Sequence, residues 1–146
     1  MHVNKASRKT WLSLSTVAIF AVSAAGLSSV ASAADMKVSL SGEQEVPAVK
    51  SGGAGSGTIN VGADKSISGS VVTTGLAGTA AHIHEAAAGK NGAVVIALTK
   101  DGDTYSVPSG TKLSDAQLES LKAGNLYINV HTTANPNGEI RAQLKP

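Results

Sequence analysis

Apolar and polar positions alternate with a period of two along much of the chain, the mark of a half-buried β-strand. Residues 36–40 set Met36, Val38 and Leu40 against Lys37 and Ser39. Residues 43–49, broken by Pro47, read as a loop. The 51–57 stretch holds four glycines and reads either as a flexible segment or as a bulged lead into the next strand. Residues 58–61 and 66–74 are strand-like, and Gly62-Ala63-Asp64-Lys65 between them predicts a tight turn, hence a hairpin. Residues 75–79 read as a connection and 80–85 as a strand. The 86–92 loop ends in the turn dipeptide Asn91-Gly92. Residues 93–98 form a continuous apolar run, which predicts a short strand buried on both faces. A further short strand is expected around Tyr105.

One helix is signalled. Ser114 is a good N-cap, Gln117 completes a capping box, and Leu113 and Leu118 are placed as a hydrophobic staple. Gly124 supplies the stop, so the helix has only two to three turns and serves as a connection. Alternation then returns. Leu126, Ile128 and Val130 face one way, and Tyr127, Asn129 and His131 face the other. After the turn Asn135-Pro136-Asn137-Gly138, Ile140, Ala142 and Leu144 oppose Glu139, Arg141 and Gln143. Many short strands with Gly-rich turns predict an all-β fold: an antiparallel Greek-key β-sandwich or barrel with one short connecting helix.

Residues 1–33 carry a different pattern. Lys5, Arg8 and Lys9 precede an apolar run over 11–30, and Ala31-Ser32-Ala33 matches an A-x-A cleavage site. This predicts a secretory signal peptide and an exported protein, periplasmic or extracellular, with no membrane attachment after cleavage. No Cys follows the run, which excludes a lipid-anchored lipoprotein. Residues 34–146 then form a single domain. Removing three of the 12 basic residues leaves 9 against 10 acidic ones, so the domain is near −1 and not basic. Nothing in that balance suggests nucleic-acid binding. There is no Cys, which excludes disulfides, thiolate-rich zinc sites and Cys-ligated copper. Patterning carries no signal for the oligomeric state.

The chemistry concentrates in Ala81-His82-Ile83-His84-Glu85. On a strand, His82 and His84 share a face with Cα atoms about 6.6 Å apart, two steps of roughly 3.3 Å, so both rings can converge on one ion. The one other His of the predicted domain is His131. The three together predict a mononuclear metal site. Imidazole suits copper, zinc, iron and nickel; the affinity order and an exported location favour copper, with zinc the alternative. Three protein ligands leave a position open for water or substrate. Glu85 and Glu139 are candidate fourth ligands, although Glu85 points away from the His face of a regular strand. Arg141 reads by default as a solvated strand charge. Its functional reading is catalytic: a guanidinium that draws a small anion toward the open position. Tyr127 and Asn129 are either plain polar-face residues or groups that orient the ligands.

Three blocks resemble the CHRD domain, named after chordin. They are 40–47 (LSGEQEVP), the segment AHIHE with GKNGAVV over 81–95, and LKAGNLYINVHT with NPNGEIRAQL over 121–144. Ala142 stands where the family usually has Gly. The resemblance implies an exported single-domain protein of a family whose bacterial members mostly have no assigned activity. In chordin the domain belongs to an extracellular antagonist of growth factors. A looser resemblance is to copper-zinc superoxide dismutase, in which His82, His84 and His131 match the copper ligands not shared with zinc. Arg141 matches that family's Arg in kind but not in spacing. The bridging His, the other zinc ligands and the disulfide are missing, so this resemblance implies at most a copper-only relative with dismutase-like redox activity. A cupin would place a Glu a few residues after His84, where Ala86, Ala87 and Ala88 stand. The open alternatives are a copper-binding or delivery protein without turnover, and a metal-free interaction domain at the cell surface.

Overall fold

The computed structural model describes residues 34–146, and the signal-peptide reading of 1–33 lies outside them. Nine strands form one antiparallel sheet: β1 (Ala34–Ser41), β2 (Ala54–Val61), β3 (Ile67–Thr74), β4 (Gly78–Glu85), β5 (Ala93–Ala97), β6 (Thr99–Asp101), β7 (Thr104–Ser106), β8 (Leu126–Thr132) and β9 (Ile140–Leu144). The single α-helix described, α1 (Asp115–Lys122), joins β7 to β8. The spatial order is β5-β4-β8-β9-β1-β2-β3-β7-β6. Its two end strands, β5 and β6, are consecutive in the chain and separated by Leu98 alone. The Leu98 N–H donates to the Ala81 carbonyl at 2.9 Å. One stretch thus hands over from β4 to β7 and nearly closes a barrel, which leaves little free sheet edge.

The alternation read from the sequence sets the inside of this barrel. Met36, Val38, Leu40, Ile59, Ile83, Leu126, Ile128, Val130, Ile140 and Leu144 point into one core. The β2–β3 hairpin turns at residues 62–65, with Lys65 at φ 67. The glycine-rich stretch before it is strand from Ala54 onward and is not bulged. β2 begins at Ala54 and pairs with β1 and β3 in unbroken register. Gly57 belongs in that strand because a Cβ there would meet the Ser70 backbone. Likewise the supposed 75–79 connection already enters β4 at Gly78.

The capping box of α1 forms as expected. Ser114 Oγ accepts the Gln117 N–H at 3.1 Å, and Gln117 Oε1 accepts the Ser114 N–H at 2.9 Å. Gly124 takes φ 74 just past the helix. Leu121 and Leu113 are buried and Leu118 packs against the core.

Two burial expectations are corrected. The apolar run 93–98 is not buried on both faces. It lies at the end of the sheet, where only Ile96 is buried and Val94 is 51% exposed. A short apolar run does not say how many sides are covered, and here one face is barrel exterior. The reverse holds for β8 and β9. Their polar face is not solvated: Tyr127 and Asn129 are each 2% exposed and Arg141 1%. Loops fold over it, so Arg141 is not the solvated strand charge of the default reading.

One core feature generates a prediction. The Tyr105 hydroxyl is fully buried without a hydrogen-bond partner, in the space a Cβ on Gly78 would fill. Tyr105→Phe removes an unpaired polar group and is expected to leave stability unchanged or raise it by up to about 1 kcal/mol. Gly78→Ala should cost about 1–3 kcal/mol by overpacking against a rigid ring, and much of that loss should return in the double variant. Denaturant unfolding of the three proteins checks this; additive effects would show that the two residues do not share the space.

Candidate metal centre

Strand pairing builds the site. β8 lies between β4 and β9, with His82 opposite Asn129, His84 opposite Tyr127 and Ala80 opposite His131. His131 is therefore the diagonal neighbour of His82 on the outer face of the barrel, within side-chain reach. The three imidazoles meet there. His82 Nδ1 lies 2.9 Å from His131 Nε2. Ring centroids are 4.7 Å apart for His82 and His131, 5.6 Å for His82 and His84, and 6.0 Å for His84 and His131. One nitrogen from each ring can be chosen so that no two are more than 4.8 Å apart.

Backbone carbonyls set the tautomers. His84 Nδ1 lies 3.0 Å from the Gly92 carbonyl and His131 Nδ1 lies 2.9 Å from the Pro136 carbonyl. A carbonyl only accepts, so each Nδ1 carries the proton and each Nε2 keeps its lone pair. His84 is 8% exposed, and its Nε2 has no partner. A buried unpaired acceptor is costly, and ligand histidines characteristically donate their other N–H to a carbonyl. Burial also holds the rings neutral: it lowers the pKa of His82 and of His131 from the usual 6.5, and the neighbouring imidazoles add to the shift.

The candidate carboxylates do not join the cluster. Glu85 accepts a hydrogen bond from Ser120 on α1. Glu139 is held by Ser51 at 2.7 Å, Thr132 at 2.6 Å and Asn135 at 3.3 Å, and those donors keep its pKa below the usual value. Among the described residues the potential donor set is three nitrogens and no oxygen.

Behind His84 the site is layered. The Tyr127 ring stacks on His84 at 4.8 Å with an interplanar angle of 6°. The Arg141 guanidinium lies over the Tyr127 ring at 3.4 Å. Because β8 separates β4 from β9, His84 and Arg141 approach that ring from opposite sides. Arg141 donates to Asn91 Oδ1 at 3.2 Å and to Gln143 Oε1 at 3.0 Å. The Gly92 N–H donates to the Tyr127 hydroxyl at 3.2 Å. Buried Glu45 stands near Arg141 and Asn129; desolvation raises its pKa, and those two neighbours pull it the other way. Sequence reading took Asn91, Gly92 and Pro136 for turn chemistry and Glu45 for loop, because a backbone carbonyl's role leaves no trace in side-chain pattern.

The blocks that carry the resemblance are the ones that build this face. The family model of the CHRD domain matches residues 36–144. The chain belongs to the CHRD family. No curated protein and no solved structure matches it. In this CHRD domain the first His block supplies His82, His84, Asn91 and Gly92. The closing block supplies Tyr127, Asn129, His131, Pro136 and Arg141, and the opening block supplies Glu45.

The lowered histidine pKa values fix a sign. Between the folded values and 6.5 the unfolded chain binds more protons than the folded one, so stability rises with pH. The metal-free protein should therefore lose stability as pH falls from about 6.5 through the folded values. Glu45, whose pKa is raised, contributes with the opposite slope, so the comparison must be with His131→Asn. The variant should show a weaker loss than wild type in urea titrations between neutral and mildly acid pH; identical slopes would refute the assignment.

Proposed function

We propose that this CHRD domain is an exported protein that binds one copper ion through His82, His84 and His131. The observation that carries the reading is the buried His84 Nε2, which has no partner and belongs to a cluster of three imidazoles. A nitrogen-only donor set suits copper, which also leads the affinity order for such sites. The 2.9 Å separation of His82 Nδ1 and His131 Nε2 is a hydrogen-bond length. Nitrogens about 2.05 Å from one ion are at most about 4.1 Å apart, so the widest separation, up to 4.8 Å, would have to close by about 0.7 Å or more. Export rests on the N-terminal pattern of basic residues, apolar run and A-x-A. No helix among the described residues is long and apolar enough to cross a membrane.

Copper held there supplies one-electron redox chemistry. His82 and His131 are only half-buried, so a small ligand has access to the open side. This favours redox chemistry on a small anion such as superoxide over conversion of a larger organic substrate. Arg141 contributes a positive charge to that reading, but from the far side of Tyr127 and without direct contact. The same half-exposed histidines also favour a second reading, copper binding or delivery without turnover.

Copper titration of residues 34–146 should give one tight equivalent, with nitrogen hyperfine coupling in the electron paramagnetic resonance spectrum. Zinc should be displaced by copper. The His82→Ala/His84→Ala variant should lose the site. Weak, multiple and variant-insensitive binding would remove the metal reading and leave a metal-free interaction domain. Superoxide consumption by the loaded protein separates the redox reading from delivery.

A further inference from the structure

Arg141 is the largest fully buried side chain of the described protein, and no described carboxylate forms a salt bridge with it. The cleft it borders, with Glu43, Glu45, Gln143 and Lys145, is lined by none of the three histidines. A guanidinium placed this way does not touch a ligand on the metal. It does touch Tyr127, and Tyr127 touches His84. The charge stands no more than 8.2 Å from the His84 ring, the 3.4 Å and 4.8 Å separations laid end to end. The Asn91-Gly92 turn ties the layers together. Asn91 accepts from Arg141, the Gly92 N–H donates to Tyr127, and the Gly92 carbonyl accepts from His84. Gly92 admits no side chain, because a Cβ would strike the Glu85 carbonyl.

We propose that Arg141 is a positioning residue: stacked on Tyr127 and latched by Asn91-Gly92, it locks the His84 ring and biases a bound metal toward its lower charge state. The second half rests on the metal-site reading. The first half does not. The stack stops the imidazole from rotating, so the Nε2 lone pair stays aimed into the cluster. The buried cation acts through a low-dielectric path, where a like charge on the metal is disfavoured and the reduced ion is favoured. Arginine suits the role because its planar fork stacks and donates at once, which lysine does not.

Two measurements test this. In the metal-free protein, the His84 Nδ1–H should be visible by NMR and slow to exchange in wild type and in Tyr127→Phe, which keeps the ring. It should exchange rapidly in Tyr127→Leu. Equal protection in Tyr127→Leu would overturn the lock. In the copper-loaded protein, Arg141→Gln should lower the Cu(II)/Cu(I) midpoint potential, and Arg141→Lys, which keeps the charge, should lower it less. An unchanged or raised potential in Arg141→Gln with copper still bound would overturn the charge effect. Should Arg141→Gln fail to fold, a potential in Arg141→Lys above that of wild type does the same. If wild type takes up no copper, the charge effect falls with the metal reading, and the exchange experiment still decides the lock.

Discussion

The register of β8 against β4 is the constraint on which the candidate centre depends. Side chains alternate across a strand, so a slip of one residue would turn His131 and Tyr127 into the core and Ile128 and Val130 out of it. Leu126, Ile128 and Val130, each 0% exposed, prevent that slip. The same apolar residues that fill the barrel therefore hold His131 diagonal to His82. Packing on one face of the strand fixes the chemistry on the other.

The outer face bears an unusual load. Tyr127, Asn129, Arg141 and Glu45 are all nearly solvent-free on the outside of a barrel. Burying such groups is unfavourable unless each finds partners. The loops supply them largely through backbone: the carbonyls of Gly92, Pro136 and Asn137 accept from His84, His131 and Asn129. Carbonyls can approach this closely because the loops are built of small residues. Gly138, at φ 131, passes where any Cβ would meet the side chains of Glu45 and Asn129. Unpaired atoms remain even so, on Glu45, Asn129 and His84. They gather on this one face apart from Tyr105 and Asn60, which is the pattern of a site whose shape was set by something other than stability.

Much of the fold was legible because the barrel is antiparallel and its core is one-sided. Alternation over 36–40 and 126–132, the Ser114/Gln117 capping box and the Gly62–Lys65 turn each correspond to a feature of the structure. The His cluster was legible for the same reason, since period two puts His82 and His84 on one face. Its closure was not. That His131 lies beside them depends on β8 pairing with β4, a contact between segments about 50 residues apart that no local pattern encodes. Burial misled in both directions. Val94 is apolar and exposed, while Arg141 is charged and buried, because what covers a strand is decided by loops elsewhere in the chain. Behind His84, Tyr127 was among the orienting groups read from the sequence, and it does stack on that ring; the rest of the layering was invisible, because a Gly peptide and a guanidinium plane have no characteristic spacing.

The placement of the cluster outside the core also bears on how such a domain tolerates a metal. A cation inside the barrel would have to replace apolar packing that the Cys-free domain relies on for stability. On the outer face it replaces only a hydrogen bond between two imidazoles and an unpaired nitrogen. Two of the three histidines sit on one strand and the third on its partner, so holding an ion would call for convergence of the rings and not for movement of the core. His84, with Tyr127 and Arg141 behind it, is buried, whereas His82 and His131 are half-exposed. An ion arriving from solvent would meet the half-exposed pair first, and His84 would serve as a preformed anchor without a preformed cage.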